Sequence, residues 1–218
     1  MERPRLAVLI PAFNESKTIG NVVKEAISYC DVYVVDDNSN DNTAKEAILN
    51  GAKVIHNQGL NGYENALSYG FSSVRKLDYD YIITLDADGQ HDPKYIQNFI
   101  DIIFSSSPSI IIAERTVLPR LSEIFFSKFT SYFYNIGDAF SGFKSYKVKD
   151  YKGYEFGMYK LTGLNFLNLC IVRNKMYQTF SITINDRLDQ PRFGTTFKAN
   201  MRLIRSILTF LFFMIYRR

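Results

Sequence analysis

Two acidic residues separated by one position, Asp86 and Asp88 in the segment "DADGQ", are the first candidates for chemistry in this 218-residue chain. If a strand continues through them, their side chains share a face, because residues two apart in a strand point the same way. Two neighbouring carboxylates repel unless a cation lies between them. Oxygen ligands suit Mg²⁺ or Mn²⁺, which also bind phosphate oxygens. The alternative is a polar turn, in which Asp92 caps a helix that Pro93 begins.

A second acidic pair, Asp36 and Asp37 in "VVDDNSNDNT", follows another apolar run. Carboxylates at the end of a strand can accept hydrogen bonds from a nucleotide base or from ribose hydroxyls. Local capping is the competing interpretation, with Asp41 or Asn42 beginning the helix that starts near residue 43. The segment "PAFNE" after the first apolar run, taken by itself, indicates no more than a turn.

The elements that position these residues alternate through the first half of the chain. β-branched runs predict strands, and helical spacing of apolar residues predicts helices between them. The predicted strands are 5–10, 31–36, 52–57, 80–86 and 109–114, and the predicted helices are about 16–29, 43–49, 62–76 and 93–104. Strands rich in Ile and Val with helices between them predict an α/β fold, a mostly parallel sheet covered by helices. Ligands bind such sheets beyond the carboxyl ends of the strands, where the polar segments lie.

The second half of the chain is aromatic and basic. Residues 102–218 carry 17 Lys and Arg against 7 Asp and Glu, whereas residues 1–101 carry 9 against 15. An acidic half can hold a cation, and a basic half attracts phosphates. We predict a helix over 120–135, a strand over 178–184 and an apolar helix with basic ends over 198–218. The two helices have the composition of membrane-surface helices, although a buried core, a protein partner or another subunit could also cover them.

Composition excludes several classes of protein. With 46% hydrophobic and 22% charged residues, the chain is globular rather than disordered. Cys30 and Cys170 give neither a disulfide framework nor zinc spacing, which favours a reducing compartment. The longest uncharged apolar run near the end, 206–216, is too short for a bilayer core of about 30 Å. The basic half contains no recognisable nucleic-acid-binding motif, so we expect no nucleic-acid partner.

Four segments in this order and spacing carry a family resemblance: "VLIPAFNESKTIGNVV", "VYVVDDNSNDNT", "NQGLNGYENALSYGF" and "YIITLDADGQHDP". The chain resembles the family 2 glycosyltransferases of the GT-A fold. Further on, "GDAFSGFKSY" and "PRFGTTFK" are similar to elements of the branch that makes polyprenyl-phosphate sugars, such as dolichol-phosphate mannose synthases. The resemblance covers about residues 5–200. Processive polysaccharide synthases of this family need a "QxxRW" motif, which a chain without tryptophan cannot contain.

The resemblance implies roles for the residues that match these motifs. The nucleotide's base and ribose would be held by Pro11, Ala12, Glu15, Asp36 and Asp37. Asp86 would contact the donor, while Asp88 and Gln90 would ligate Mg²⁺ or Mn²⁺ on its diphosphate.

The matching positions in the second half would act on phosphates and on the acceptor. Arg115 and Lys128 would meet phosphates, and Ser141 would line the sugar or acceptor pocket. Arg192 and Lys198 would neutralise the phosphate of a lipid acceptor. We therefore expect catalytic contributions from Asp88, Arg115, Lys128 and Arg192.

The reaction implied is metal-assisted, inverting transfer of a hexose from a nucleotide sugar to a polyprenyl or dolichyl phosphate. GDP-mannose is the expected donor and UDP-glucose the next candidate. A phosphate acceptor needs no general base, because its oxygen is already ionised at neutral pH. A glycan or lipid hydroxyl acceptor would need a carboxylate base, for which Asp138 is the best candidate. The further alternative is a catalytically degenerate regulatory subunit.

The chain departs from the family pattern at three places. The segment from Gly59 to Ala66 is longer than the usual glycine segment and lacks its lysine, and Thr196 and Phe197 replace a usual Ser and Lys. Gly157 and Tyr159 follow "GYEF", where many relatives carry acidic residues. These departures bear on the substrate rather than on the fold.

We expect a glycosyltransferase domain over 1–200 and a C-terminal amphipathic helix over 201–218. Residues 1–116 would form the nucleotide-binding half of the domain, and residues 117–200 the acceptor half. The protein would bind peripherally to the cytoplasmic side of a membrane, with a possible membrane-protein or homo-oligomer partner.

Overall fold

The computed structural model describes residues 3–118, 120–151 and 162–185. Within them seven strands form one sheet: β1 (Leu6–Ala12), β2 (Asp31–Asp36), β3 (Lys53–His56), β4 (Tyr81–Thr84), β5 (Ile110–Arg115), β6 (Lys144–Lys147) and β7 (Tyr177–Ile182). The helices are α1 (Ile19–Ala26), α2 (Thr43–Leu49), α3 (Tyr63–Val74), α4 (Ile96–Ser106), α5 (Leu121–Tyr134) and α6 (Thr162–Val172). The strand order is β3-β2-β1-β4-β6-β5-β7.

The mostly parallel α/β sheet predicted from the sequence is confirmed, with one antiparallel strand added. β1 to β4 pair in parallel, as do β5 and β7. The strand that was not predicted, β6, lies antiparallel between β4 and β5. Because β6 runs against its neighbours, it begins at the edge where β4 and β5 end. The turn before β6 therefore joins the polar segments at the carboxyl ends of the parallel strands.

One boundary corrects the sequence analysis. The strand predicted over 80–86 ends at Thr84, and Ala87 and Asp88 lie in a turn. Gly89 follows with a φ of 75°, a backbone conformation that favours glycine. Asp86 and Asp88 are therefore not held on one face by strand alternation, and the turn sets their relation instead.

The sheet is covered on both faces, and each face has its own apolar core. Alternate residues of a strand face opposite sides, so β1 contributes Val8 and Ile10 to one core and Leu9 to the other. The first core is completed by residues of α1 and α4, and the second by residues of α3, α5 and α6. Gly70 lets α3 approach closely, because a Cβ there would lie 2.3 Å from Val35 of β2. The helices thus fix the sheet from both sides.

The sheet runs through both halves that the sequence analysis separated at residue 116, and the predicted domain boundaries stay predictions. The predicted helix over 120–135 and the predicted strand over 178–184 correspond to α5 and β7. The C-terminal helix predicted over 198–218 lies outside the described residues, as do Arg192 and Lys198. In the described ranges, no helix has both the length and the apolar composition needed to cross a membrane.

Candidate active site

The candidate site is built where β2, β1 and β4 end side by side. β1 pairs with β2 up to Ala12 opposite Asp36, but its pairing with β4 stops at Leu9 opposite Thr84. Pro11 thus lies beyond the ladder with β4, where its missing backbone N–H costs no strand pairing. The backbone N–H of Asp37 donates to the carbonyl of Ala12 at 2.9 Å. Pro11 and Ala12 therefore lie directly beside Asp36 and Asp37 at the end of the sheet.

The loops that follow β1 and β2 are bonded to each other. The backbone N–H of Glu15 donates to Thr43 Oγ1 at 2.7 Å, and that of Asn40 donates to Asn14 Oδ1 at 2.8 Å. Glu15 is buried, and its carboxylate accepts a bond from Thr18. Glu15 therefore stabilises the first turn of α1 and faces the loop after β2.

Two capping alternatives of the sequence analysis are confirmed. Asp41 Oδ1 accepts from the backbone N–H of Thr43 at 2.9 Å, at the start of α2. Asp92 Oδ1 accepts from the backbone N–H of Lys94 at 2.9 Å, in a 3-10 turn that Pro93 begins. These two carboxylates shape helix starts.

Asp36 and Asp37 are both buried, but they have different partners. Asp36 Oδ2 lies 3.4 Å from Nδ1 of His56, whose side chain is 66% exposed. Asp37 Oδ1 accepts from Asn57 Nδ2, and its Oδ2 accepts from the backbone N–H of Gly62, each at 2.6 Å. Asp37 thus fixes the loop between β3 and α3, while Asp36 borders an exposed imidazole.

Asp86 is held from three sides. Tyr63 at the start of α3 donates its hydroxyl to Asp86 Oδ1 at 2.9 Å. His91 Nδ1 lies 3.3 Å from Asp86 Oδ2, a close contact without hydrogen-bond alignment. A Cβ on Gly142 would lie 2.7 Å from Asp86 Oδ1, so glycine is needed there.

The electrostatic balance keeps Asp86 ionised. Burial raises the pKa of its carboxyl, but His91, Tyr63 and the charge of Arg115 outweigh that effect, and the net pKa lies below the ordinary value. The Asp86 side chain stays 28% exposed, whereas that of His91 is 4% exposed. A charged carboxylate therefore faces the cleft with a buried imidazole behind it.

The turn from Asp88 to Gln90 is organised by its own carboxylate and by a residue distant in sequence. Asp88 Oδ1 accepts from the backbone N–H of Gln90 at 3.0 Å. The carbonyl of Gln90 accepts from the backbone N–H of Asn185 at 2.9 Å, and Asn185 Nδ2 donates to the carbonyl of Gly89. The segment after β7 thus holds this turn in place.

The donor set at this turn fits a hard divalent cation that is only partly ligated by protein. The described residues contain no group of three or more His, Cys, Asp or Glu side chains that could hold a metal. Asp88 and Gln90 are half-buried, and they offer a carboxylate and an amide oxygen. Mg²⁺ is commonly bound by one or two carboxylates together with substrate phosphates. The residues therefore fit an ion that a diphosphate helps to bind.

Arg115 ends β5, one residue beyond the predicted strand, and it lies in a buried ion-pair network. Its Nε donates to Asp138 Oδ2 at 2.6 Å and its Nη2 to Asp138 Oδ1 at 3.1 Å. Nη2 also lies 3.2 Å from Glu123, which Arg120 contacts at 2.6 Å. The Asp138 and Glu123 side chains are 2% exposed. The guanidinium of Arg115 is thus held by two carboxylates beside the site.

The turn before β6 brings a lysine into the interior. Ser141 is buried, and its Oγ accepts from the backbone N–H of Phe143 at 3.2 Å. Lys144 is 3% exposed, and its Nζ donates to the carbonyl of Ser141. Burial lowers the pKa of Lys144 to about 8, and the nearby charge of Arg115 adds to this effect. In this turn Gly142 lies against Asp86.

Lys128 is exposed on α5. It shares a face of the helix with Leu121, Phe125 and Tyr132, which are 71%, 72% and 84% exposed. The opposite face carries the buried residues Glu123, Phe126 and Thr130.

Several residues of this site were not identified from the sequence: Asn57, Tyr63, Gly142, Lys144 and Asn185. Asn57, in the polar segment "NQG" after β3, could have been identified, because it lies at a strand end like the acidic pairs. His91 lies in the loop after Gln90 and is buried against Phe143 and Asp86. Tyr63 and Asn185 carry no sequence signal for their contacts, which depend on where α3 and β7 lie.

The comparison with known proteins identifies the family. The model of glycosyl transferase family 2 matches residues 7–153, so the chain belongs to that family. An uncharacterised protein of Methanocaldococcus jannaschii is 32% identical over 173 residues, which cover 70% of this chain and 76% of that protein.

Two relatives have names that describe transfer to lipid phosphates. The UDP-N-acetylglucosamine–dolichyl-phosphate N-acetylglucosaminyltransferase of Methanococcus voltae is 32% identical over 52% of this chain and 53% of its own length. The undecaprenyl-phosphate mannosyltransferase of Micrococcus luteus is 30% identical over 52% of this chain and 49% of its own length. This chain thus aligns with about half the length of these two relatives.

Solved structures share the fold. Glucosyl-3-phosphoglycerate synthase from Mycobacterium tuberculosis, crystallised with phosphoglyceric acid, matches with a TM-score of 0.78 at 16% identity. The match covers 95% of this chain and 80% of that one. The same enzyme has been crystallised with Mn²⁺ and UDP. At this identity the likeness concerns the fold alone, and it agrees with the GT-A fold predicted from the sequence motifs.

Proposed function

We propose that this chain transfers a hexose from a nucleotide sugar to a polyprenyl phosphate, with inversion at the anomeric carbon. One observation carries the proposal: the acidic pairs after β2 and β4 lie at one edge of the sheet. Asp37 bonds to Gly62 and Asp86 bonds to Tyr63, so consecutive residues link the two motifs. A nucleotide bound near Asp36 and Asp37 would extend its diphosphate toward Asp86 and Asp88.

The relatives support a lipid phosphate as the acceptor. The two named relatives act, by their names, on dolichyl phosphate and undecaprenyl phosphate. The site supports the same acceptor class, because an ionised phosphate oxygen attacks without a general base. Asp138, the candidate base for a hydroxyl acceptor, is buried and bonded by Arg115 through both oxygens. That geometry disfavours the hydroxyl alternative.

In this proposal the residues at the cleft bind and orient two anions. Asp88 and Gln90 would hold Mg²⁺ or Mn²⁺, which when bound offsets the charge that develops on the leaving diphosphate. Asp86 would contact the sugar of the donor, and Glu15, Pro11 and Ala12 would border its base and ribose.

The basic residues of the second half would supply countercharge in two ways. Arg115 is held by Asp138 and Glu123, so its positive charge would act on the diphosphate through space rather than by direct contact. The turn that contains Ser141, before β6, would line the acceptor side of the site. Arg192 and Lys198 would neutralise the lipid phosphate.

Two nucleotide sugars are proposed as donors, and they should be tested in the following order. GDP-mannose stays the first candidate, and the name of the Micrococcus luteus relative supports mannose as the sugar. A UDP sugar is the second candidate, because the Methanococcus voltae relative is named for UDP-N-acetylglucosamine and the fold neighbour has been crystallised with UDP-glucose.

A polyprenyl acceptor implies contact with a membrane surface, and α5 supports it. Its exposed face combines Leu121, Phe125 and Tyr132 with Lys128, the composition of a helix that lies at a lipid interface. A lysine near anionic lipid contributes about 1 kcal/mol to such binding. We propose peripheral binding through α5 at the cytoplasmic face, with Lys128 toward the lipid headgroups, and residues 201–218 as a second contact.

The test is transfer of radiolabelled sugar from each donor to polyprenyl phosphate in anionic vesicles, with Mg²⁺ or Mn²⁺. We expect label in the lipid extract, loss of transfer with chelator, and a fall of at least tenfold for Asp88→Ala. Asp101→Asn, a change at an exposed residue of α4, is the matched control and should keep wild-type transfer. Co-sedimentation of the protein with the same vesicles measures surface binding.

Three outcomes would contradict parts of the proposal. Full transfer by Asp88→Ala would remove the metal role. Transfer to glycans but not to polyprenyl phosphate would restore the hydroxyl acceptor. Binding of nucleotide sugars without transfer to any acceptor would indicate a regulatory subunit.

A further inference from the structure

The start of α3 connects the two acidic motifs through a residue outside the family pattern. The segment from Gly59 to Ala66 lacks the usual lysine and is longer than the usual glycine segment. Within this longer segment Tyr63, the first residue of α3, directs its hydroxyl to Asp86 Oδ1 at 2.9 Å. The departure from the motif thus coincides with a direct bond to the carboxylate nearest the proposed sugar position.

The backbone before Tyr63 is fixed to the end of β2. Asp37 accepts from the backbone N–H of Gly62, and Asn57 donates from Nδ2 both to Asp37 and to the carbonyl of Leu60. Asn38 Nδ2 adds a bond to Asn61 Oδ1 at 2.8 Å. These bonds limit the movement of Tyr63 relative to the nucleotide side of the cleft.

The hydroxyl of Tyr63 is a directed donor. Burial raises the pKa of Tyr63 well above the ordinary value, and the charge of Asp86 adds to the effect, so the phenol stays protonated at neutral pH. Hydrogen bonds to charged groups are shorter than neutral ones and roughly twice as strong. After loss of this donor, His91 and Gly142 would still lie close to Asp86 among the described residues.

We propose that Tyr63 is a positioning residue that orients the Asp86 carboxylate toward the donor sugar and couples it, through Gly62, to Asp37. This inference rests on the proposed function, in which Asp86 contacts the donor. It predicts that the Tyr63 hydroxyl affects use of the donor and leaves use of the acceptor unchanged.

Tyr63→Phe tests the inference, because it removes one oxygen and keeps the ring. We expect kcat/KM for the nucleotide sugar to fall about tenfold or more, the effect of losing one hydrogen bond to a charged group. The KM for polyprenyl phosphate should stay at the wild-type value. A merely structural role would instead lower the melting temperature and affect both substrates alike.

The matched control is Tyr69→Phe on the same helix, for which the described residues give no bond to a strand-end carboxylate. It should leave both KM values and kcat unchanged. Wild-type kcat and donor KM in Tyr63→Phe would overturn the inference and leave the transfer reaction standing.

If the wild-type chain transfers no sugar, the proposed function fails, and donor binding then tests Tyr63 alone. Affinities for GDP-mannose and UDP-glucose with Mn²⁺, measured by thermal shift, should be weaker in Tyr63→Phe than in the wild type and the control. Equal affinities in all three proteins, or no binding to any of them, would overturn the inference as well.

Discussion

Two regions beside the cleft bury carboxylates, and they compensate the charge differently. At the end of β2, Asp37 accepts bonds from an amide side chain and a backbone N–H. At the end of β5, Asp138 is paired with the guanidinium of Arg115. The first region surrounds an anion with neutral donors, whereas the second offsets it with a buried cation.

The neutral donors around Asp37 fix the path of a loop, whereas the ion pairs around Arg115 fix the position of a charge. Neutral donors fix the path of the β3–α3 loop without adding a positive field where a nucleotide base would bind. Ion pairs around Arg115 hold a positive group near the proposed phosphates, at the cost of desolvating each partner. The two regions should therefore respond differently to loss of charge.

Removal of the buried anion from the ion-pair region should have the largest effect. Asp138→Asn leaves the Arg115 guanidinium with Glu123 as its remaining carboxylate partner among the described residues. We expect the free energy of unfolding to fall by about 3 kcal/mol, because breaking a buried pair leaves an uncompensated charge. Urea denaturation measures it. Asp78→Asn, in an exposed pair with Arg5, is the control, and an equal small change in both variants would contradict the buried network.

A smaller loss is expected where neutral donors surround the anion. Asp37→Asn keeps the shape of the side chain but presents an amide to the donors on Gly62 and Asn57. We expect a fall of about 2 kcal/mol in the free energy of unfolding, the typical value for a hydrogen bond to a charged group. Faster proteolysis within residues 57–62 should accompany it. Unchanged stability and unchanged cleavage would remove the distinction between the regions.

The smallest effect should appear as a dependence on pH at Lys144. Its folded pKa of about 8 lies below the ordinary 10.5, so the unfolded chain binds the proton more tightly. The stability contribution of Lys144 therefore rises with pH between these values. From pH 8 to 9.5, we expect wild type to gain about 1.5 kcal/mol relative to Lys144→Met. A parallel pH dependence in the two proteins would show that Lys144 titrates normally.

The sequence predicted the parallel part of the fold well, because each strand is an apolar run and each helix has a clear apolar face. It missed β6 and α6 for physical reasons. β6 reads "KSYK", in which the first lysine is buried by its surroundings rather than by its own character. α6 is apolar on most sides, so its periodicity gives a weak helical signal.

Prediction of the candidate site was limited in the same way. The acidic residues near the strand ends were found because each follows an apolar run, and the carboxyl ends of parallel strands lie at one edge of a sheet. The ion pairs of Arg115 were not predicted, because its two carboxylate partners come from α5 and from the segment after it. Such long-range contacts depend on β6, which lies antiparallel between β4 and β5. The local sequence pattern does not predict this strand.

The insertion of β6 also has a consequence for biosynthesis. A nascent chain that ends before residue 144 has a β4 whose outer edge is unpaired. Its β5 lacks both neighbours, since β6 and β7 are synthesised later. Unpaired strand edges are templates for aggregation. A nascent chain whose emerged part ends between residues 115 and 144 would therefore expose three unpaired edges at once, one of β4 and both of β5, and chaperone capture should be strongest in that interval.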